Sequence, residues 1–359
     1  MNRKNSVPAR LLAVCAAAAL LGGCTAAPSV SQTESGTSGT VATVPTSTAV
    51  TTTTTAAPIP TVPDSGEDGH WNNQLYIWNH AAFEMFYGGE TGAREYAETV
   101  SSVKQYVPQV TVYNMVVPNH SAFGLPERIL REEGCSSQRE ITQTVYASYT
   151  ADIRAVDIFD VLDRHKDEYL YFNTDTHWAP LGAYYAYTKF CEVAGVPVRD
   201  IADMETSVSD DEFYGYLYYL TEDPALEGHA DRIDLYEPPV NYTAYLAADS
   251  VNFSEVNGVN SPYIGVGYGI FAWGDQPCMK VVNHDGSSGR RVCIVKDSYG
   301  NAMVPFLVSS FDETHVIDFR HFTGNLADYC REQGITDLLF FNNVMSAYSQ
   351  PEKLAALFD

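Results

Sequence analysis

Apolar residues in the C-terminal third of the chain fall into short β-branched runs separated by amphipathic stretches. Residues 291–295 (RVCIV), 315–319 (HVIDF) and 337–341 (DLLFF) predict strands, and residues 302–311, 326–333 and 351–358 predict helices. Strand and helix alternating through short turns predict parallel pairing with helices on both faces of one sheet. Upstream, residues 110–117 (VTVYNMVV) form a β-branched run closed by Pro118, the signature of a buried strand. Residues 169–172 predict a short strand. Pro180 opens a helix in which Leu181, Tyr184, Tyr185, Thr188, Cys191 and Glu192 step at helical spacing until Gly195. The expected fold class is α/β, a doubly wound α/β/α sandwich with a parallel sheet. Residues 200–275 break this rhythm. They are rich in Tyr, Gly, Asp and Pro and predict an insertion of irregular loops and short antiparallel strands capping the sheet.

The N-terminus follows other rules. Arg3, Lys4 and Arg10 precede an apolar run over residues 11–21, and Leu21-Gly22-Gly23-Cys24 closes it. The pattern is that of a removable targeting segment. The run falls short of the about 20 apolar residues that a membrane span requires. Its end resembles the lipobox of bacterial lipoproteins, which implies cleavage before Cys24 and lipid attachment there. An ordinary secretory signal is the plainer alternative, and both place the mature protein outside the cytoplasm. Residues 25–63, built from Ser, Thr, Ala, Pro, Gly and Val, lack the apolar content to form a core and predict a disordered tether. Such a tether spans on the order of 35 Å. The expected organisation is therefore signal 1–24, tether 25–63, and a head domain 64–359 carrying the insertion.

Charge narrows the choice of partner. The chain carries a net −24; removing the signal takes away three basic residues and no acidic one, which moves this to about −27. So acidic a surface repels nucleic acid and acidic polymers and favours a neutral polymer or small molecule. Five cysteines remain in the head (Cys135, Cys191, Cys278, Cys293 and Cys330), widely spaced and without a CxxC pair. That spacing argues against a structural zinc site or a dense disulfide framework. Cys191, Cys293 and Cys330 fall in apolar patterns and suit buried thiols; one disulfide through Cys135 or Cys278 stays open.

The reactive residues follow a simple rule. Asn119-His120, Asp175-Thr176-His177, Asp297-Ser298, Asp318 with Arg320-His321, and Asn342-Asn343 each lie just past the end of a predicted strand. In open α/β sheets the carboxyl edge is where ligands bind. A serine hydroxyl becomes a nucleophile only when a base takes its proton and a third group orients that base. Ser298 sits on a strand-to-helix turn, where the Tyr299 amide offers an oxyanion donor; it suits a helix N-cap equally well. His177 lies in a loop before Pro180, and Asp175 is placed to orient it, or else to cap a turn. A metal site built from Asp175 and His177, with His120 or Asp318 as a further ligand, is the competing reading, though no HxH, HExxH or CxxC spacing supports it. No metal or cofactor is expected.

The motifs TDTHW (174–178) with GAYYAY, then KDSYGN (296–301) and VIDFR, resemble those of the DHHW family of Gram-positive surface proteins. These are similar in turn to the SGNH-like domains of alginate O-acetyltransferases. The resemblance runs from about residue 110 to the C-terminus and implies an SGNH-like sandwich. It also implies Ser298 as nucleophile, His177 as general base and Asp175 as its orienting acid. Thr176 stands where the DHHW signature has histidine, and Ala179 where a Ser or Thr cap is common. Asn301, Arg320 and Gly274 are candidate oxyanion or substrate contacts, with a surface ion pair to Asp318 as the plainer role for Arg320. The tyrosines of the insertion and Trp273 suit sugar stacking or simple packing.

The implied activity is acetyl transfer to a surface or secreted polysaccharide, in company with a membrane-bound O-acyltransferase that supplies the acyl group. An acetylesterase with the same triad, and a non-catalytic carbohydrate-binding or assembly lipoprotein, are the two alternatives.

Overall fold

The structure is a computed structural model and describes residues 60–263 and 266–359. The expected signal, Cys24 and the tether up to residue 59 lie outside the described residues. The last tether positions lie on the head, where Val62 packs against a buried cluster that includes Tyr76, Trp78, Phe83 and Leu125.

Strands β1 (His70–Asn72), β2 (Leu75–Trp78) and β3 (Ala81–Phe83) form a small antiparallel sheet. The principal sheet contains β4 (Thr111–Val117) and β5 (Ile153–Ala155). After a ribbon of β6 (Glu205–Phe213) and β7 (Asp231–Glu237), it continues with β8 (Tyr242–Ala247), β9 (Ser254–Val256), β10 (Cys278–Asn283), β11 (Arg291–Lys296), β12 (Glu313–Asp318) and β13 (Asp337–Asn343). Its order is β5-β4-β13-β11-β12-β10-β8-β9. The first five are parallel, and the last three join antiparallel at one edge.

The central strands show why this is a three-layer structure. A strand covered on both faces must be apolar at every position, not at alternate ones. In β11, Val292 and Ile294 face a core shared with the Pro180–Ala194 helix, while Cys293 and Val295 face another shared with the Glu90–Val103 and Leu326–Gln333 helices. All four are fully buried. Each such aliphatic side chain contributes about 1.5–3 kcal/mol through burial. Strands β4 and β13 split the same way, Met115 and Leu339 to the first core, Val116 and Leu338 to the second.

β12 lies on one side of β11 and β13 on the other, so the winding reverses at β11. That reversal opens the crevice in which doubly wound sheets bind ligands. Ser298 follows the carboxyl end of β11 directly.

The expected α/β/α sandwich is the observed class, with three differences in detail. Residues 169–172 do not enter the sheet. The segment folds back on itself around a tight loop, with a single bridge between Tyr171 and Trp178 and an Ala179 amide to Leu170 carbonyl bond of 2.8 Å. The helix expected over 302–311 is a 3₁₀ turn, Ser298–Met303, running into a short helix, Val304–Leu307. Pro305 has no N–H to continue the earlier turn and fits only near a fresh helix start. The insertion does more than cap: β8 and β9 extend the principal sheet through β10, a strand the apolar pattern does not flag.

The five head cysteines are free thiols. Cys191, Cys278, Cys293 and Cys330 are buried and Cys135 is half-buried. No described helix is long and apolar enough to cross a membrane.

Gly195 ends the Pro180–Ala194 helix at φ +70°, with open space around the missing Cβ. Only backbone conformation requires glycine there. Gly195→Ala is expected to lower stability by about 1 kcal/mol and Gly195→Asn by less, read from urea unfolding midpoints.

Candidate active site

Two loops meet above the carboxyl edge of the sheet. The first carries Asp175, Thr176, His177 and Trp178; the second is the turn opened by Ser298. His177 Nε2 lies 2.7 Å from Ser298 Oγ, and His177 Nδ1 lies 2.6 Å from Asp175 Oδ1. A carboxylate accepts and cannot donate, so Nδ1 carries the proton and Nε2 is the acceptor for the serine hydroxyl. The side chains of His177 and Asp175 are 12% and 6% exposed, while Ser298 is half-buried and open to a substrate.

Asp175 is fixed from three directions. Oδ1 also accepts the His177 amide at 3.1 Å, and Oδ2 accepts the Tyr216 amide at 2.8 Å. Burial pushes this carboxyl up, but the His177 charge and hydrogen bond together with the two amides outweigh it and hold it below the usual range. The preceding Asn173-Thr174 turn is tied to buried Asp231, which accepts both their amides and the Thr174 hydroxyl. Gly215 and Tyr218 donate their amides to the Thr174 hydroxyl and carbonyl.

The serine turn is stitched to the same loop. Trp178 Nε1 donates to the Tyr299 carbonyl at 2.9 Å, and the Tyr299 hydroxyl donates to the Thr176 carbonyl. Asp297 caps the turn, accepting the Tyr299 amide at 3.0 Å and, across the sheet edge, the Asn343 amide at 2.7 Å. The capping role read as an alternative for Ser298 is thus taken by Asp297.

The expected oxyanion and substrate contacts come close together but are engaged. The Tyr299 amide is held by Asp297, and the Gly274 amide by the Phe271 carbonyl at 2.9 Å. Asn301 Nδ2 donates to Asp275 at 3.0 Å. Arg320 binds Asp318 through Nε and Nη2, and Nη2 also lies 2.9 Å from Asp275, which is the ion-pair role read as its alternative. Its Nη1 has no protein partner among the described residues.

Lys296 completes the cluster. It is fully buried and bound to Asp318 at 2.9 Å. Burial pushes Asp318 up, but Arg320 and Lys296 outweigh it and hold the carboxyl down at about 2. Asp275, Asp318 and His321 offer grouped ligand atoms. The two cations already neutralise these carboxylates.

The metal reading fares differently at each of its residues. Asp175 and His177 are bound to each other, and Asp318 to its cations. His120 stacks on Tyr171 at 5.2 Å, and burial brings its pKa down to about 3. An open groove of about 790 Å³ borders Arg128, Cys135, Gln138 and Lys166, but no triad residue lines it.

Sequence reasoning missed Glu84, Asp231 and Tyr268. Glu84 follows β3 and accepts the Thr176 hydroxyl; burial pushes its carboxyl up against that bond and the His177 charge. Thr176, where the family signature has histidine, keeps a donor on this carboxylate. Nothing local marks these three residues, since each reaches the site from a distant element.

The mostly parallel α/β/α sandwich has an SGNH-like fold, with Asp-x-His before a late serine at the sheet edge. The sequence matches the DHHW protein family over residues 53–317. This chain belongs to that family. A DHHW family protein from Eubacterium siraeum is 33% identical and superposes with a TM-score of 0.73, over 81% of this chain and 98% of that one. Bacillus cereus PatB1, in a structure with a sulfonyl adduct, is 16% identical at a TM-score of 0.64, over 79% of this chain and all of that one. The O-acetyltransferase domain of Pseudomonas putida AlgJ is 12% identical at 0.45, over 78% and 96%. Among curated proteins none matches.

Two outcomes follow from this geometry. A Cβ on Gly215 would lie 2.2 Å from Asp175 Cβ, so Gly215→Ala must displace that carboxylate. It is expected to slow reaction of Ser298 with a sulfonyl fluoride on the order of 10²-fold, with the far-UV spectrum unchanged. Asp318→Asn strands the buried Lys296 charge and is expected to cost about 3–5 kcal/mol in denaturant unfolding. Because folding depresses the Asp318 pKa, its contribution is complete above the ordinary carboxylate range. It is lost as pH falls toward about 2. The variant therefore loses part of the wild-type acid sensitivity in that window.

Proposed function

We propose that this protein is an extracytoplasmic, lipid-anchored O-acyltransferase that passes an acetyl group through Ser298 to a surface or secreted polysaccharide. The observation that carries the reading is the unbroken chain from Ser298 Oγ to His177 to Asp175, at 2.7 and 2.6 Å. These separations are those of an activated nucleophile and its oriented base.

Ser298 Oγ attacks the acyl carbonyl while His177 Nε2 takes its proton, and Asp175 stabilises the imidazolium without accepting a proton itself. The tetrahedral intermediate collapses as His177 returns that proton to the departing alcohol, leaving acyl-Ser298. A sugar hydroxyl then attacks the acyl carbon. His177 takes the hydroxyl proton and delivers it to Ser298 Oγ as the ester forms on the sugar. The Ser298 amide, which has no acceptor inside the turn it opens, is the first candidate oxyanion donor. Arg320 Nη1 is the second, or a contact to substrate. Cys24 is the lipid attachment site, residues 25–63 the tether and residues 64–359 the catalytic head. A membrane-bound O-acyltransferase supplies the acyl group. No cofactor enters these steps.

Intact-mass analysis after incubation with p-nitrophenyl acetate tests the reading. The wild type is expected to gain one acetyl group, and Ser298→Ala to lose turnover on the order of 10⁴-fold or more. In the native host, the same substitution is expected to remove O-acetyl signals from the surface polysaccharide. Ester hydrolysis without transfer to added oligosaccharide would assign the acetylesterase instead. No acylation, with glycan binding retained, would assign a non-catalytic binding lipoprotein.

A further inference from the structure

The general base is supported by a residue outside the triad. The Tyr268 ring lies parallel to the His177 imidazole, with centroids 3.7 Å apart and planes at 4°. Tyr268 is 6% exposed, and its hydroxyl donates to the Tyr299 carbonyl at 3.0 Å, the carbonyl that also accepts Trp178 Nε1. Phe172 meets its ring edge-on at 6.2 Å and Phe271 at 5.2 Å. The ring is thus held by two aromatic neighbours and at its hydroxyl, and one face is given to the histidine.

The backbone that presents it is strained. Tyr268 lies in the turn Gly267–Trp273, where Ala272 and Trp273 take φ +48° and +61° beside Gly274 at +76°. Side-chain-bearing residues in this region are strained and persist where surrounding contacts over-determine them. Here those contacts put Tyr268 on His177 and, at the other end of the turn, Asp275 on Asn301, Lys296 and Arg320.

We propose that Tyr268 is a positioning residue for acyl transfer. Its ring fixes the plane of His177 so that Nε2 points at Ser298, and its π-face stabilises the imidazolium formed when Ser298 gives up its proton. An aromatic face within about 6 Å of a cation attracts it, and more strongly where water is excluded. The inference rests on the acyl chemistry proposed above.

His177 meets Asp175 on its own loop, Ser298 and Tyr299 on the serine turn and Tyr268 on the insertion, with the Glu84 carboxyl acting on it from beyond β3. Among the described residues only Tyr268 touches the face of the ring in parallel, so its effect is separable. The test is the pH profile of Ser298 sulfonylation by a sulfonyl fluoride. In this step Oγ forms the S–O bond, fluoride leaves and His177 takes the proton.

Tyr268→Leu removes the ring and destabilises the imidazolium. The plateau rate is expected to fall about tenfold, and the acid limb to move down by about half to one pH unit. Tyr268→Phe keeps the ring and is expected to restore the limb to its wild-type position. Circular dichroism and the unfolding midpoint establish that both variants are folded.

A Leu variant slowed with its acid limb in place would reduce Tyr268 to packing and overturn the inference. So would a Phe variant shifted as far as Leu. If the wild type is not sulfonylated at Ser298 at all, the triad reading fails first. If Tyr268→Leu does not fold, Tyr268→Met, an unbranched and adaptable apolar side chain without the π-face, is expected to give the Leu profile; a wild-type profile from it overturns the inference.

Discussion

The site depends on a short ladder of hydrogen bonds between two loops 121 residues apart: His177 to Ser298, Trp178 to the Tyr299 carbonyl, and the Tyr299 hydroxyl to the Thr176 carbonyl. The first loop is irregular and the second a short 3₁₀ turn, so each leaves backbone groups that need partners on burial. The two loops satisfy each other. Trp178, with no exposed surface, anchors the first loop in the core while its one polar atom reaches the second. The triad is one rung of this structural ladder, and a change that parts the loops loses stability and chemistry together.

The insertion is the buttress of this arrangement. Asp231 opens β7 and gathers the Asn173 and Thr174 amides; Gly215 and Tyr216 bring amides onto the Thr174 hydroxyl and Asp175. Gly215 must lack a side chain, because its backbone lies against Asp175 itself. Farther along, Tyr268 lies on His177 and Asp275 joins the Lys296 and Arg320 cluster. The core sandwich supplies Ser298, the proposed nucleophile, and the ends of the strands. Asp175 and His177 take their geometry from residues about 40 to 100 positions later in the chain. Folding of the insertion and assembly of the site are therefore coupled, and an irregular, tyrosine-rich segment is held in one conformation.

Much of this was legible in the sequence because a buried parallel sheet leaves a one-dimensional signature. Apolar runs such as 292–295 mark central strands, and polar residues that close them mark the carboxyl edge. Asp175, His177 and Ser298 stood out on those grounds, and their meeting is what the fold provides. Glu84, Asp231 and Tyr268 did not, because their roles are contacts between distant elements and their local sequences read as ordinary strand ends and loops. Strand β10 was missed for a related reason. Its antiparallel place between β12 and β8 follows no βαβ rhythm. Of the expected oxyanion or substrate contacts, Tyr299, Asn301 and Arg320 are engaged by the acids Asp297, Asp275 and Asp318, about which the local sequence says nothing.

That occupancy bears on what the site accepts. Lys296 and Arg320 are the cations nearest the serine turn in this account, and Asp275 and Asp318 match them charge for charge. Their attraction for a distant anion is therefore largely cancelled, and the surrounding surface of a chain at net −24 adds repulsion. An anionic polymer would have to approach against the overall field and find no uncompensated charge on arrival. An uncharged sugar hydroxyl and a neutral acyl ester meet neither penalty, and the charge that must be stabilised appears only in the transition state. The acyl transfer proposed for this site would rely on fixed dipoles and on the imidazolium at His177, not on net positive charge, to lower the barrier. The ordered support beneath His177 then matters more than any single cation at the rim.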